Sequence, residues 1–159
     1  MNKAVFFDRD GVINKERGDY TFRIDDFIIN EGVFDSMRLL SAKNYLLFII
    51  TNQGGISKGV YSMDDVEKLH KHMLSLFIKE TIRIEKIFLC PHHHENENCL
   101  CRKPGSLLIE KALAIYNIDP LKSYFIGDRD RDIMAAQNAG VTGIKVESNQ
   151  DITNICRSL

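Results

Sequence analysis

The sequence lacks an excess of charge of either sign. Its 159 residues carry 21 lysines and arginines against 22 aspartates and glutamates, for a formal net charge of -1. A chain so close to neutral has no overall field that would attract nucleic acid or an anionic membrane. We therefore expect neither as a partner, and any site for an anion must be local.

Long hydrophobic runs are also missing. The first apolar run, Ala4 to Phe7, is too short for a signal peptide, and no later stretch could span a bilayer. There is no internal repeat, low-complexity tract or linker. With 44% hydrophobic residues, the chain can bury one sizeable core and is too short for two ordinary domains. We expect a single domain over residues 1–159 and a cytoplasmic protein.

Short apolar runs alternate with longer periodic stretches. The runs typical of buried strands cover residues 4–7, 45–50, 86–89, 124–126 and 141–146. Helical spacing between them puts Val66, Leu69, Met73 and Phe77 on one face.

Local signals mark where some of the helices begin and end. Ser62 with Asp65 predicts a capping box at the start of one helix. Two more helices are predicted at 106–116 and 130–139, the latter ended by Gly140. The alternation predicts an α/β fold of Rossmann-like, three-layer form, with a mainly parallel sheet covered on both faces.

Polar residues follow three of the predicted strands. They are Asp8-Arg9-Asp10-Gly11, Thr51-Asn52-Gln53-Gly54-Gly55 and Gly127-Asp128-Arg129-Asp130-Arg131-Asp132. Because the carboxyl ends of parallel strands share one edge of the sheet, these groups should converge there. Aspartates brought together in this way would repel one another without a cation, and oxygen ligands favour Mg²⁺.

The spacing within the first motif suggests a division of labour. Asp8 and Asp10 are two apart and can point the same way while Arg9 points away, and Gly11 allows a close turn. A carboxylate can attack phosphorus, so one aspartate can act as nucleophile while the other transfers protons. Phosphoryl transfer also needs hydroxyl and cationic donors, which Thr51, Arg102 and Lys103 could supply.

These residues resemble the motifs of the haloacid-dehalogenase superfamily of phosphatases. The resembling motifs are Phe7-Asp8-Arg9-Asp10-Gly11, Thr51-Asn52, Lys103, and Gly127-Asp128 with Asp132. The resemblance implies that Asp8 is the nucleophile and that Asp10 is the acid and base. It implies Mg²⁺ bound by Asp8, the Asp10 carbonyl and Asp128, with Asp132 in support, and phosphoryl contacts from Thr51 and Lys103.

Within that superfamily, the chain is more similar to the branch of D-glycero-D-manno-heptose-1,7-bisphosphate phosphatases and histidinol-phosphatases. The similar segments are residues 51–59 and Cys101-Arg102-Lys103-Pro104. The resemblance implies substrate contacts at Glu16, Arg17, Gly18, Asp19, Thr51, Asn52, Gln53, Gly54, Arg102, Lys103 and Arg129. The family often has lysine at the last of these positions, and arginine keeps the charge but changes its shape.

Three thiols and an imidazole lie within twelve residues, at Cys90, His92, Cys99 and Cys101. This set suits a closed tetrahedral Zn²⁺ site of structural type. His93 and His94 are competing ligands, and the branch named above favours His92. Such a crosslink would order the irregular segment 90–105 and place Arg102 and Lys103 beside the phosphate. Cys156 is interpreted as an ordinary thiol.

The leading hypothesis is removal of the C7 phosphate of a heptose 1,7-bisphosphate through an aspartyl phosphate, in nucleotide-activated heptose biosynthesis, with Lys58, Arg102 and Arg129 serving the retained phosphate. The short spacing between His92 and Cys99 favours the alternative of a histidinol-phosphatase. A non-catalytic zinc-binding interaction module is a second alternative, which the neutral charge disfavours. No sizeable insertion provides a cap domain, so we expect an open site shaped by residues 14–30 and the zinc loop, in a monomer.

Overall fold

A five-stranded parallel sheet forms the centre of the molecule. The computed structural model describes residues 1–159, with β1 at Lys3–Phe7, β2 at Tyr45–Asn52, β3 at Lys86–Cys90, β4 at Tyr124–Gly127 and β5 at Thr142–Lys145. The strands lie in the order β3-β2-β1-β4-β5, and all four pairings are parallel. The predicted strands and their parallel arrangement are confirmed, with ends differing by one or two residues.

Four α-helices connect the strands, and a fifth follows β5. They are α1 at Val33–Ala42, α2 at Met63–Lys79, α3 at Leu107–Ile115, α4 at Asp130–Asn138 and α5 at Thr153–Ser158. The predicted capping box is present, since Ser62 and Asp65 exchange hydrogen bonds at the start of α2. Gly140 follows α4 with φ +74°, the left-handed conformation that ends a helix. None of these helices has the length and hydropathy that crossing a bilayer requires.

Side chains of β1 alternate between two hydrophobic cores. Val5 and Phe7 join the core beneath α1, α2 and α5, whereas Ala4 and Phe6 join the core beneath α3 and α4. The period of two in a strand buried on both faces explains why β1 has no polar residue after Lys3. The predicted three-layer α/β domain is confirmed.

Strand register brings the polar motifs to one edge of the sheet. Phe7 lies opposite Ile49 of β2 on one side and Ile126 of β4 on the other. The residues that follow these three strands therefore emerge side by side, and Asp8 N donates to Ile126 O at 3.0 Å. Two irregular segments, residues 14–30 and 91–105, contain no α-helix or strand and lie at this edge.

Candidate active site

Asp8 lies directly after β1 and is bound by a buried lysine. Lys103 Nζ is 2.8 Å from Asp8 Oδ1 and 2.7 Å from Asp132 Oδ1, and it donates to Ile50 O at 2.8 Å. Burial lowers the pKa of Lys103, but the two carboxylates outweigh it and raise the pKa overall. This ammonium group is therefore paired with two carboxylates and one carbonyl, and it stays charged.

Negative charge at this point exceeds what Lys103 can neutralise. Burial raises the pKa of Asp8 to about 7 against the opposing effect of Lys103, and Asp132 and Asp10 raise it further. Carboxylate oxygens of Asp8, Asp128 and Asp132 lie within 4.8 Å of one another. Asp128 Oδ1 is buried without any hydrogen-bond partner. A cluster of hard oxygens in which Asp128 Oδ1 and Asp132 Oδ1 both lack a hydrogen-bond partner fits a divalent cation such as Mg²⁺.

Gly11 allows Asp128 to approach the first motif. Its φ is +88°, a backbone conformation that residues with a side chain rarely adopt. A Cβ atom built there would collide with the Asp128 carboxylate. The glycine in this motif therefore brings the ends of β1 and β4 close enough to share a cation.

Asp10 is bound from several sides. Arg9 donates to both of its oxygens at 2.9 and 3.0 Å, Asn14 Nδ2 donates at 3.0 Å and Gln53 Nε2 at 3.1 Å. Burial alone would raise the pKa of Asp10, but Arg9 and these hydrogen bonds lower it overall. Asp10 is therefore ionised in this structure.

Arg9 corrects one expectation, because it does not point away from the site. Its side chain is fully buried, and its guanidinium turns back to Asp10, donates to Thr21 O at 2.6 Å and lies 3.2 Å from His70 Nε2. A buried guanidinium needs acceptors for its five N–H groups, and the aspartate beside it is the nearest anion.

A cleft of about 400 Å³ opens above Asp8 and Asp10. It is lined by Asp8, Asp10, Glu16, Gly18, Asp19, Tyr20, Thr21, Asn52, Gln53, Arg129 and Arg131. Eight of these are sequence-predicted site residues; Tyr20, Thr21 and Arg131 are not. Tyr20 and Thr21 follow directly after the predicted segment 16–19. For Arg131, the only signal in the sequence was its position two residues after Arg129.

The structure places the other predicted residues around this cleft. Thr51 is fully buried beneath it. Arg17 lies 3.0 Å from Asp26 and Lys58 lies 2.9 Å from Glu95, so both are engaged elsewhere. Gly54 lies under the ring of His93 and the guanidinium of Arg102.

Arg102 faces an adjoining cavity of about 410 Å³ that Arg131 also lines. Its Nη1 donates to His92 O at 2.9 Å, which ties it to the irregular segment that carries the thiols. Arg131 thus borders both spaces, and the structure records no hydrogen bond or ion pair for its side chain.

The predicted zinc ligands converge. Cys90 Sγ lies 3.6 Å from both His92 Nδ1 and Cys99 Sγ and 3.2 Å from Cys101 Sγ, and His92 Nδ1 lies 3.3 Å from Cys101 Sγ. Four soft and borderline donors at such separations surround a point suited to a tetrahedral metal ion.

Of the three adjacent histidines, only His92 reaches the thiols. His93 Nδ1 instead accepts from Glu95 N at 3.2 Å, and His93 and His94 group with Glu95 away from the cysteines. A Cys/His cluster that could hold a metal is therefore present, and its members are the four predicted ones.

Asn52 connects this cluster to Asp8. Its side chain donates to Lys103 O at 3.1 Å and accepts from Lys103 N at 3.0 Å. The end of β2 is therefore hydrogen-bonded to the backbone of Lys103, two residues after Cys101. These bonds hold the lysine beside Asp8.

Comparisons with known proteins agree with this geometry. A HAD-hydrolase-like family model matches residues 100–154. A D-glycero-alpha-D-manno-heptose-1,7-bisphosphate 7-phosphatase from Campylobacter jejuni is 45% identical over 139 residues, which cover 87% of this chain and 78% of that relative. A D-glycero-beta-D-manno-heptose-1,7-bisphosphate 7-phosphatase from Haemophilus ducreyi is 40% identical over 158 residues, 95% of this chain and 86% of the relative.

A solved structure gives the same result at the level of the fold. The crystal structure of D,D-heptose 1,7-bisphosphate phosphatase from B. bronchiseptica, complexed with magnesium and phosphate, superposes with a TM-score of 0.87. It is 25% identical and covers 98% of this chain and 86% of its own.

Proposed function

Because this chain belongs to the heptose-1,7-bisphosphate 7-phosphatase family of the haloacid-dehalogenase superfamily, we propose that it hydrolyses the C7 phosphate of D-glycero-D-manno-heptose 1,7-bisphosphate, in nucleotide-activated heptose biosynthesis. The observation that carries the proposal is the pairing of Asp8 and Asp10 at the floor of one cleft. The names of the two relatives specify different anomers of the heptose bisphosphate, alpha in one and beta in the other.

Asp8 acts as the nucleophile in this proposal. Its carboxylate attacks phosphorus, a P–O bond forms, and the bond to the sugar oxygen breaks. Asp10 delivers a proton to that oxygen and later takes one from the water that hydrolyses the aspartyl phosphate. Asp10 must first gain a proton, and the negative charge of an arriving phosphate favours this step because it raises the pKa of a neighbouring carboxyl.

Asp8, Asp128 and the Asp10 carbonyl are the proposed Mg²⁺ ligands, with Asp132 in support. When bound, Mg²⁺ would neutralise charge on the phosphoryl oxygens. The unpartnered Oδ1 of Asp128 supports this assignment. Asp132 is a supporting residue because it already contacts Lys103 Nζ and accepts from Arg129 N at 3.0 Å.

Thr51 and Lys103 are the proposed donors to the transferring group. Lys103 Nζ is already paired with Asp8 and Asp132 and donates to Ile50 O, so an incoming phosphoryl oxygen would compete with one of these contacts. Whether or not that contact is displaced, the charge of Lys103 supports the reaction, because cations that are already in position stabilise the transition state of phosphoryl transfer.

We propose that Cys90, His92, Cys99 and Cys101 hold a structural Zn²⁺. All four positions of a tetrahedral ion would be filled by the protein, which leaves none for chemistry. Three thiols also fit a reducing compartment, so a cytoplasmic enzyme remains our proposal, and we propose that it is a monomer.

Arg129 and Arg131 are proposed to bind the phosphate that is retained. Both line the cleft, and Arg131 has no carboxylate partner. Arg129 is held loosely, at 3.4 Å from Asp128 and 3.9 Å from Glu16. Glu16, Gly18, Asp19 and Asn52 remain for the sugar hydroxyls, which polar side chains and backbone groups bind well, whereas the side-chain amide of Gln53 is already hydrogen-bonded to protein groups.

A side-by-side specificity screen tests the substrate. The alpha and beta heptose 1,7-bisphosphates, histidinol phosphate and fructose 1,6-bisphosphate are each assayed for phosphate release with Mg²⁺. We expect the highest kcat/KM with one heptose anomer. Turnover of histidinol phosphate, with negligible turnover of either anomer, would reverse this assignment; the short spacing from His92 to Cys99 favours that second candidate.

A further inference from the structure

We infer that Tyr61 is a positioning residue for phosphoryl transfer, acting through the side-chain amide of Gln53 on Thr51. The inference rests on the proposed reaction at Asp8 and assigns a role to a residue outside the motifs. A chain of hydrogen bonds carries it: Tyr61 Oη donates to Gln53 Oε1 at 2.7 Å, and Gln53 Nε2 donates to Thr51 Oγ1 at 2.8 Å and to Asp10 Oδ2 at 3.1 Å.

The polarity of this chain has a chemical consequence. The amide nitrogen of Gln53 faces Asp10 and gives it one of its two protons. The second amide proton goes to Thr51, whose hydroxyl is thereby used as an acceptor. The Thr51 proton has no acceptor in the structure and is free for a phosphoryl oxygen. A reoriented Gln53 whose oxygen faced Thr51 would capture that proton.

Tyr61 stabilises the productive orientation of Gln53. Gln53 is 2% exposed and Tyr61 6%, so Oε1 of Gln53 depends on the tyrosine hydroxyl for its donor. A buried acceptor without a donor costs free energy. Without the tyrosine hydroxyl, Gln53 could satisfy this oxygen by turning it toward the Thr51 hydroxyl. Burial raises the pKa of Tyr61 to about 12, so the hydroxyl remains protonated over the working range of pH.

The ring of Tyr61 is fixed by its neighbours. Phe22 stacks on it at 4.9 Å between centroids, and Tyr20 meets it edge-on at 5.6 Å. A Cβ atom at Gly55 would collide with the ring. Packing of the ring therefore fixes the position of the hydroxyl independently of its hydrogen bond. Such support keeps the groups of an active site in a defined geometry.

Tyr61→Phe removes the hydroxyl and keeps the ring. We expect kcat for the proposed substrate to fall about five- to tenfold, as for the loss of one hydrogen bond, with KM within about twofold of wild type. Tyr45→Phe is the matched control, because Tyr45 Oη also makes one hydrogen bond, to Leu159 O at 3.3 Å, at the far end of β2. It should change neither constant. Wild-type kcat in Tyr61→Phe would overturn the inference.

A double-mutant cycle separates this role from general support of the fold. Adding Tyr61→Phe to Gln53→Ala should alter kcat by less than about twofold, because the hydroxyl acts through the amide that is already gone. Independent, multiplying effects would show that Tyr61 acts by another route and would refute the inference. Gln53→Glu, which can accept from Tyr61 but cannot donate to Thr51, replaces Gln53→Ala if that variant does not fold.

The outcomes also distinguish this inference from the proposed function. A wild-type protein that is inert on every phosphate monoester would refute both. An active wild type with no kcat change in Tyr61→Phe would refute the role of Tyr61 and leave the reaction standing.

Discussion

Asp8 and Asp10 are two residues apart, but their surroundings shift their pKa values in opposite directions. Burial beside Asp132 raises the pKa of Asp8, whereas Arg9, Asn14 and Gln53 together lower that of Asp10. The proposed roles need the opposite order, since the nucleophile must be ionised and the acid protonated; a cation beside Asp8 would lower its pKa, and an arriving phosphate would raise that of Asp10. Arg9 is the charged partner of the proposed acid and base.

Asp8→Asn should abolish phosphate release. The amide has the shape of the carboxylate but is not a competent nucleophile, so kcat should fall by at least about a thousandfold. Phosphate release in the presence of Mg²⁺ measures this. Asp35→Asn on the exposed face of α1, which pairs with Arg38, should retain wild-type activity. Full activity in Asp8→Asn would contradict the mechanism.

His70 makes the stability of the fold dependent on pH. Burial and the charge of Arg9 lower its pKa from 6.5 to about 3. Between these values the unfolded chain binds a proton that the folded chain does not, so this stability is present above about pH 6.5 and is lost as the pH falls toward 3. The loss is at most about 1.4 kcal/mol per pH unit.

The variant His70→Gln keeps an acceptor for Arg9 and removes the titrating ring. Urea unfolding between pH 4 and 7 should show a shallower decline of the free energy of unfolding toward acid pH in His70→Gln than in wild type. Equal slopes in the two proteins would show that His70 is protonated in the folded state.

Arg131→Gln tests which side chain binds the retained phosphate. A bisphosphate should lose the contact and a monophosphate should not, so KM should rise about tenfold for the heptose 1,7-bisphosphate and stay within about twofold for the heptose 7-phosphate. Steady-state kinetics on both substrates measure the difference. Arg83→Gln, at an exposed arginine that pairs with Glu85, is the control. Equal changes for the two substrates would exclude this role.

At the scale of elements, the strands and the motifs at their ends followed from the sequence because both depend on local pattern. A buried parallel strand is a continuous apolar run, and the topology then brings the strand ends together. Helix α5 was not predicted, since six residues with one fully buried side chain, Cys156, give no periodic signal.

Side-chain directions were harder to predict than positions. Arg9 was expected to point away because strand alternation was extended past the end of β1, where the chain already turns. Arg131 and Tyr61 could not be recognised because their roles depend on how residues 14–30 fold over the cleft. Local spacing does not encode that packing.

The segment that carries the proposed Zn²⁺ ligands should control the placement of Lys103. Replacing Cys101 by serine removes one proposed Zn²⁺ ligand, so the zinc content should drop toward zero, the melting temperature should fall, and kcat should decrease as Lys103 loses its support. Elemental analysis, thermal unfolding and activity assays measure the three effects. Cys156→Ser, at a buried thiol outside the cluster, should lower stability but leave the zinc content unchanged. Unchanged zinc content in Cys101→Ser would refute the site.

At the scale of the whole molecule, one sheet carries both of the proposed metal sites. Asp8 and Asp128 extend from β1 and β4 at its centre, whereas the cysteine cluster follows the edge strand β3. Lys103 and Asn52 connect these regions across the top of β2. The fold thus holds buried carboxylates together against their repulsion. A bound cation would reduce this repulsion, so the stability of the domain would report its binding.

Mg²⁺ should therefore stabilise the whole domain. At a concentration one hundred times its dissociation constant, a ligand of the folded state adds about 2.7 kcal/mol, which for a domain of this size raises the melting temperature by about 5–10 °C. Protein dialysed without chelator, so that the cysteine site is undisturbed, is titrated with MgCl₂ and followed by thermal unfolding. Asp128→Asn should lose most of this shift because it removes a ligand charge, and Asp35→Asn should keep it. An undiminished shift in Asp128→Asn would mean that the ion binds elsewhere.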